Sequence, residues 1–387
     1  MAALTTTTKA ILERLIRFDT TSNKSNLNLV EYIRSYLQDF GIGATLIPDG
    51  TGTKAALYTT IGPSVEGGVV LSAHTDVVPT AGQEWTNDPF QMTLRDAKLY
   101  GRGSTDMKGF IACVLAHVPQ FVASPLKRPI HIALSYDEEV GCLGVRPLSK
   151  QMASRVPTPM AVIVGEPTNM APVNAHKSAY LIETIISGVE AHSSVPAWGV
   201  NAIVHGASII KKIEKLGERL AALPVIDDRF FPPHPTVSIG EISGGTAHNI
   251  VPNTCRIVWG IRGMPETDVP ELIDGIRKFT ENHVLVKMHK ENAACTIETK
   301  IAASILPLAA KPAAGAESLI SVLTGDNRMN AVSYGTDAGF FDAVGWPSIV
   351  CGPGDIAQAH KPDEFIAIEE LSRCSAMLSR LMEKLSQ

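Results

Sequence analysis

Short apolar runs recur along the first half of this chain, and each one stops at a histidine or a carboxylate. Val69-Val70-Leu71-Ser72-Ala73 leads to His74-Thr75-Asp76. Residues 130–135 lead to Asp137-Glu138-Glu139, and 161–164 to Gly165-Glu166. Near the C-terminus, 348–351 runs through Gly352-Pro-Gly to His360. Apolar runs of four to eight residues bounded by turn residues predict buried strands. A fifth element differs. In Tyr100-Gly-Arg-Gly-Ser-Thr-Asp106-Met-Lys-Gly, a carboxylate sits in a glycine-punctuated loop, just before Phe110, Ile111, Val114 and Leu115 at helical spacing. Loops after the carboxyl ends of strands in an open α/β sheet converge on one rim, where ligands bind.

The remaining pattern organises the chain around that rim. Residues 9–18 and 27–40 predict amphipathic helices, the second ended by Gly41, and strands then alternate with helices through Val164. Beyond Lys177 the character changes. Strands are predicted at 179–187, 236–242, 254–261 and 294–301, and helices at 201–223 and 265–284. That β-α-β-β-α-β order is the ferredoxin-like unit. Since the strand before His360 must return to the first sheet, the expectation is a discontinuous catalytic domain, 1–178 and 302–387, with 179–301 inserted. The expected fold class is α/β, a mixed, helix-flanked sheet in the catalytic domain with the ferredoxin-like unit inserted as a dimerisation lid. Residues 306–316, rich in Ala and Pro, read as loop.

Composition narrows the function. With 387 residues and 45% hydrophobic content, the chain supports two cores. A net charge of −5 gives no polyanion-binding signal, so nucleic acid is not an expected partner. No apolar run is long enough for a bilayer span, and 1–8 lacks the pattern of a secretory signal. Six scattered cysteines without Cys-x-x-Cys predict reduced, mostly buried thiols in a cytoplasmic protein. A metal would therefore be held by imidazole and carboxylate. Most of the 11 histidines, such as His117, His131 and His205, read as surface or helix residues without a special role.

Two histidines and four acids, each just past an apolar run, form a set that an acidic solvated rim does not explain. Such donors favour Zn²⁺, with Co²⁺ or Mn²⁺ as substitutes. Asp106, central in the set, is placed to bridge two ions. Asp76 is expected to accept the second imidazole N–H of His74 and fix its tautomer. Glu138 and Glu139 are adjacent and cannot point the same way, so one is expected to be a ligand and the other a free general base. A two-metal site that activates water beside a carboxylate hydrolyses amides.

His74-Thr-Asp76-Val-Val-Pro, the Asp106 loop, Asp137-Glu-Glu-x-Gly141 and Gly165-Glu166-Pro-Thr168 together resemble the zinc aminoacylase and carboxypeptidase superfamily. The resemblance runs in order along nearly the whole chain. Glu166-Pro-Thr and Gly352-Pro-Gly-x-x-x-Gln-Ala-His360-Lys-Pro-Asp-Glu364 look most like its acetylornithine deacetylase branch. The resemblance implies one zinc on His74, Asp106 and Glu166 and a second on Asp106, Glu139 and His360. It makes Glu138 the base and implies a cis Asp106–Met107 peptide. Gly188-Val-Glu-Ala-His192 resembles the segment whose histidine enters the partner's active site, which implies a homodimer through the inserted domain. Gly244-Gly-Thr-Ala-His-Asn249 resembles the substrate-binding loop, with Arg262 as carboxylate partner. The implied reaction is hydrolysis of an N-acyl amino acid, foremost N-acetyl-L-ornithine to L-ornithine and acetate, a step of arginine biosynthesis. A desuccinylase of succinyl-diaminopimelate, a general aminoacylase, a dipeptidase and a catalytically dead dimerisation module are the alternatives. Ser178 after Lys177, and Asp337 where many acetylornithine enzymes carry Glu, depart from the pattern, and the second bears on substrate choice.

Overall fold

The structure is a computed structural model describing residues 2–225, 227–311 and 315–387. The loop expected over 306–316 and the reading of 1–8 extend partly outside the described residues; the helix Gly315–Thr324 occupies the end of the former. Chain packing separates two compact units, one of 1–175, 308–331 and 336–387, the other of 176–307 and 332–335.

The first unit is built on a mixed sheet. Its order is Ala44–Pro48, Ala55–Ile61, Ile130–Ser135, Val69–His74, Ala161–Pro167, Ser348–Gly352, then Val173–His176 and Asn330–Val332. The four central strands, Ile130–Ser135 through Ser348–Gly352, pair in parallel. Val69–His74 and Ala161–Pro167 are buried at every residue, as strands covered on both faces must be. The sheet is mixed, as expected. Ala44–Pro48 and Ala55–Ile61 form an antiparallel hairpin, joined antiparallel to Ile130–Ser135.

Helix Lys108–Ala123 follows the Asp106 loop and is buried along most of its length. Phe110, Ile111, Val114 and Leu115 share one core with Leu71, Ala73, Ile132 and Leu134 of the strands. Ala2–Ile16 and Ile368–Leu385 pack against this helix. His131, expected above as a surface or helix residue, is neither: it lies buried on its strand, its Nδ1 2.9 Å from Thr60 Oγ1. All six cysteines are free and buried. Among the described residues no helix is long and apolar enough to cross a membrane.

The second unit is an antiparallel four-stranded sheet ordered Thr236–Gly244, Thr254–Gly263, Ser178–Ser187, Thr296–Ile305, with helices Ala202–Ala221 and Val269–Phe279. Ile209, Ile213, Leu216 and Leu220, spaced by three and four, bury one helix face over Ile182, Ile257 and Trp259. The second helix begins at Val269, later than residue 265, because Asp268 caps it by accepting from Glu271 N at 3.0 Å. Its last strand runs on to Ile305, so residues 302–307 group with this unit.

Candidate metal centre

The four parallel strands deliver their side chains to one edge, as their common direction requires. His74 closes its strand and Glu166 lies near the end of its own. Asp137-Glu138-Glu139 follows Ser135, and His360 follows the turn after Gly352. Asp106 comes from the loop before the buried helix, and its peptide bond to Met107 is cis.

Asp106 faces a histidine with each oxygen. Its Oδ1 is 2.9 Å from His74 Nε2, and its Oδ2 is 3.4 Å from His360 Nε2. The same Nε2 of each histidine meets one further carboxylate: Glu166 Oε1 lies 3.6 Å from His74 Nε2, and Glu139 Oε2 lies 3.0 Å from His360 Nε2. Donor atoms of His74, Asp106 and Glu139 lie within 4.8 Å of one another, as do those of His74, Glu138 and Glu166. Glu138 and Glu139 do diverge: Glu139 meets His360, whereas Glu138 Oε1 accepts from Cys142 Sγ at 3.5 Å.

The electrostatics of this cluster are strained in a way a cation relieves. Burial pushes Glu139 up to about 7, with the Asp106 charge adding to it. Burial, and then the Glu166 charge, raise Glu138 well above the usual carboxylate range, and burial with the Asp106 charge does the same to Glu166. Burial would raise Asp106 too, but hydrogen bonds from His360 and His74 reverse that and hold it well below. Those same bonds to Asp106 and Glu139 lift His360 to about 10. So many buried acids around two imidazoles fit divalent cations, and nitrogen with oxygen donors suits Zn²⁺.

Asp76 does several things at once. His74 Nδ1 lies 3.0 Å from the Asp76 main-chain carbonyl and 3.6 Å from its carboxylate. The carboxylate accepts from Ser22 Oγ at 2.8 Å and from the backbone N–H of Glu138 and Glu139 at 3.1 and 3.3 Å. It therefore fixes the turn that carries both glutamates.

Three supports escaped the sequence reading. Residues 19–26, a polar run between two helices, bind the His74 turn. Thr20 Oγ1 donates to Thr75 O at 2.7 Å, and Asn26 Nδ2 to Thr75 Oγ1 at 2.9 Å. Lys54 pairs with Asp137 and also donates to Ser22 O. Glu364, quoted above only as the end of a motif, clamps the Asp106 loop. Its carboxylate accepts from the N–H of Gly103, Thr105 and Asp106 at 3.0, 2.9 and 3.2 Å, and from Arg102 Nη1 at 2.8 Å. Gly354 lets the His360 turn approach this loop, for a Cβ there would lie 1.9 Å from Thr105 Oγ1. Arg102 and Glu364 are both 1% exposed. Glu364→Ala, which strands a buried guanidinium, is expected to cost about 3–5 kcal/mol in denaturant unfolding.

In the second unit, His192 and Asn249 come together. His192 pairs with Ile250 across a short antiparallel ladder, and Ser193 N donates to Asn249 O at 3.0 Å. Arg262 is exposed on the strand Thr254–Gly263. Asp337 belongs to the first unit and is buried, its Oδ2 accepting from Ser135 Oγ at 2.5 Å.

Two histidines joined by one buried aspartate, each with its own carboxylate, on the rim of an α/β sheet define a candidate two-metal hydrolase centre. A profile of peptidase family M20/M25/M40 matches residues 70–384. An acetylornithine deacetylase of Myxococcus xanthus is 34% identical over 384 residues, covering 96% of each chain. A crystal structure of an M20 family metallo-carboxypeptidase from Sulfolobus solfataricus has the same fold, with a TM-score of 0.76 and 16% identity over 98% of this chain and 99% of that one. A dinuclear metal binding peptidase of the M20 family from Bacillus subtilis gives 0.66 at 17% identity, covering 99% and 98%. The chain belongs to peptidase family M20/M25/M40, a family of metal-dependent hydrolases, in agreement with the resemblance drawn from its motifs.

Proposed function

We propose that this protein is a dinuclear zinc amidohydrolase that removes the acetyl group from N-acetyl-L-ornithine. The observation that carries the reading is Asp106 between two histidine–carboxylate pairs, with Glu138 beside them and not among the His360 partners. The 34% identity to an acetylornithine deacetylase over 96% of the chain supports the substrate.

His74, Asp106 and Glu166 would hold one Zn²⁺, and Asp106, Glu139 and His360 the other; Co²⁺ is an expected substitute. When bound, the ions supply Lewis acidity toward the amide carbonyl and lower the pKa of the attacking water. Glu138 accepts the proton of that water at its carboxylate and returns it to the leaving amine nitrogen. Burial, which raises its pKa, makes it a stronger base than an exposed glutamate. Asp76 orients His74 and the glutamate turn. Arg262 and Asn249 bind the amino-acid end of the substrate, the guanidinium as a bidentate partner of the α-carboxylate. His192 serves the oxyanion across a homodimer.

The experiment is a comparison of kcat/KM over N-acetylornithine, its α-amide, N-succinyl-diaminopimelate, other N-acetyl amino acids and dipeptides. N-acetylornithine is expected to lead, with its α-amide at least tenfold worse. Equal values for acid and amide remove the carboxylate from the recognition scheme. Faster turnover of N-succinyl-diaminopimelate makes the protein a desuccinylase.

The dimer has its own test. Co-expressed Glu138→Ala and His192→Ala chains, each inactive alone, form mixed dimers in half the pairs. One site of each mixed dimer is then intact, so about a quarter of wild-type activity is expected to return. No recovery with mixed dimers present places His192 outside the partner's site.

A further inference from the structure

Cys142 sits where a cysteine has little local reason to be. The turn after Ser135 folds back on itself, with Gly141 N and Cys142 N both donating to Glu138 O at 2.9 Å, and Gly144 N to Tyr136 O at 2.9 Å. This geometry puts Cys142 at φ 53, a left-handed conformation that glycine adopts more easily. The side chain is fully buried and turns back to Glu138, its Sγ 3.5 Å from Glu138 Oε1. Behind it stands Asp337. A sulfur, a Glu138 oxygen and an Asp337 oxygen all lie within 4.8 Å of one another. Asp337 Oδ2 is tied to Ser135 Oγ at 2.5 Å, while its buried Oδ1 makes no hydrogen bond among the described residues.

We propose that Cys142 is a positioning residue whose thiol donates to Glu138 and holds the catalytic carboxylate in place against Asp337. The thiol is suited to this. Burial and the charges of Glu138 and Asp337 push its pKa well above the usual value, so it stays protonated and acts as a donor. Glu138 faces a second buried acid in Asp337, and Cys142 is the side-chain donor on Glu138 among the described residues. Asp337, buried and with an oxygen within 4.8 Å of Glu138, forms the wall against which the base is held.

The inference rests on Glu138 being the general base, and three variants separate the two ideas. Serine and alanine differ by one hydroxyl; glycine relaxes φ 53, so a fall in its kcat is not due to backbone strain. Cys142→Ala and Cys142→Gly are expected to lower kcat about 10- to 100-fold, the scale of a misplaced catalytic group. KM for N-acetylornithine and bound Zn²⁺ per chain stay at wild-type values. Cys142→Ser keeps a donor and is expected within about threefold of wild-type kcat. Full kcat in Cys142→Gly, or Cys142→Ser falling as far as Cys142→Ala, overturns the proposal. Loss of metal in all three overturns it too, since the thiol would then be supporting the metal ligands. Should Glu138→Gln itself retain kcat, it is the base assignment that fails.

Discussion

Glu138→Gln is expected to leave metal content near wild type while kcat falls at least 10²–10⁴-fold, the range of lost acid–base catalysis. Glutamine keeps the shape and can still accept from the Cys142 thiol, so the turn 137–144 stays in place. What it loses is the ability to take a proton. The neighbouring Glu139, 3.0 Å from His360, is the internal control. Its replacement by Gln is expected to release metal before anything else. If Glu138→Gln releases metal and Glu139→Gln does not, the two roles are exchanged. Elemental analysis beside steady-state kinetics on the same samples decides between them.

Asp106→Ala is expected to impair both metal sites at once. Among the described residues, Asp106 alone has oxygens within 4 Å of both His74 and His360, at 2.9 and 3.4 Å. Removal also leaves Glu166, Glu139 and the two imidazoles as separate pairs. By contrast, Glu166→Ala is expected to weaken only the ion on His74. Elemental analysis after dialysis at limiting Zn²⁺ distinguishes the two patterns. One full equivalent retained by Asp106→Ala removes the bridge from the account.

Much of this centre was legible because the chemistry lies next to strong local signals. Val69-Val70-Leu71 and residues 161–164 are buried on both faces, so they read as apolar runs, and their ends point to His74 and Glu166. The β-α-β-β-α-β order of the inserted unit followed from helical and strand periodicity alone. What stayed hidden was long-range and polar. Lys54 lies 83 residues from Asp137, and Glu364 lies 258 from Asp106. Neither contact has a period or a local motif to announce it. The hairpin Ala44–Pro48 with Ala55–Ile61 was missed for a different reason: its edge strand is largely open to solvent and carries no apolar alternation. Asp337 is 1% exposed, with an oxygen within 4.8 Å of Glu138, a placement that no periodicity announces.

A single titration tests the two-ion centre and its substrate together. Metal-stripped protein is titrated with Zn²⁺ while ornithine release from N-acetyl-L-ornithine is followed. Activity is expected to be negligible without metal and to reach its plateau by two equivalents per chain. Undiminished hydrolysis by the stripped protein, or no ornithine released at full metal loading, contradicts the account.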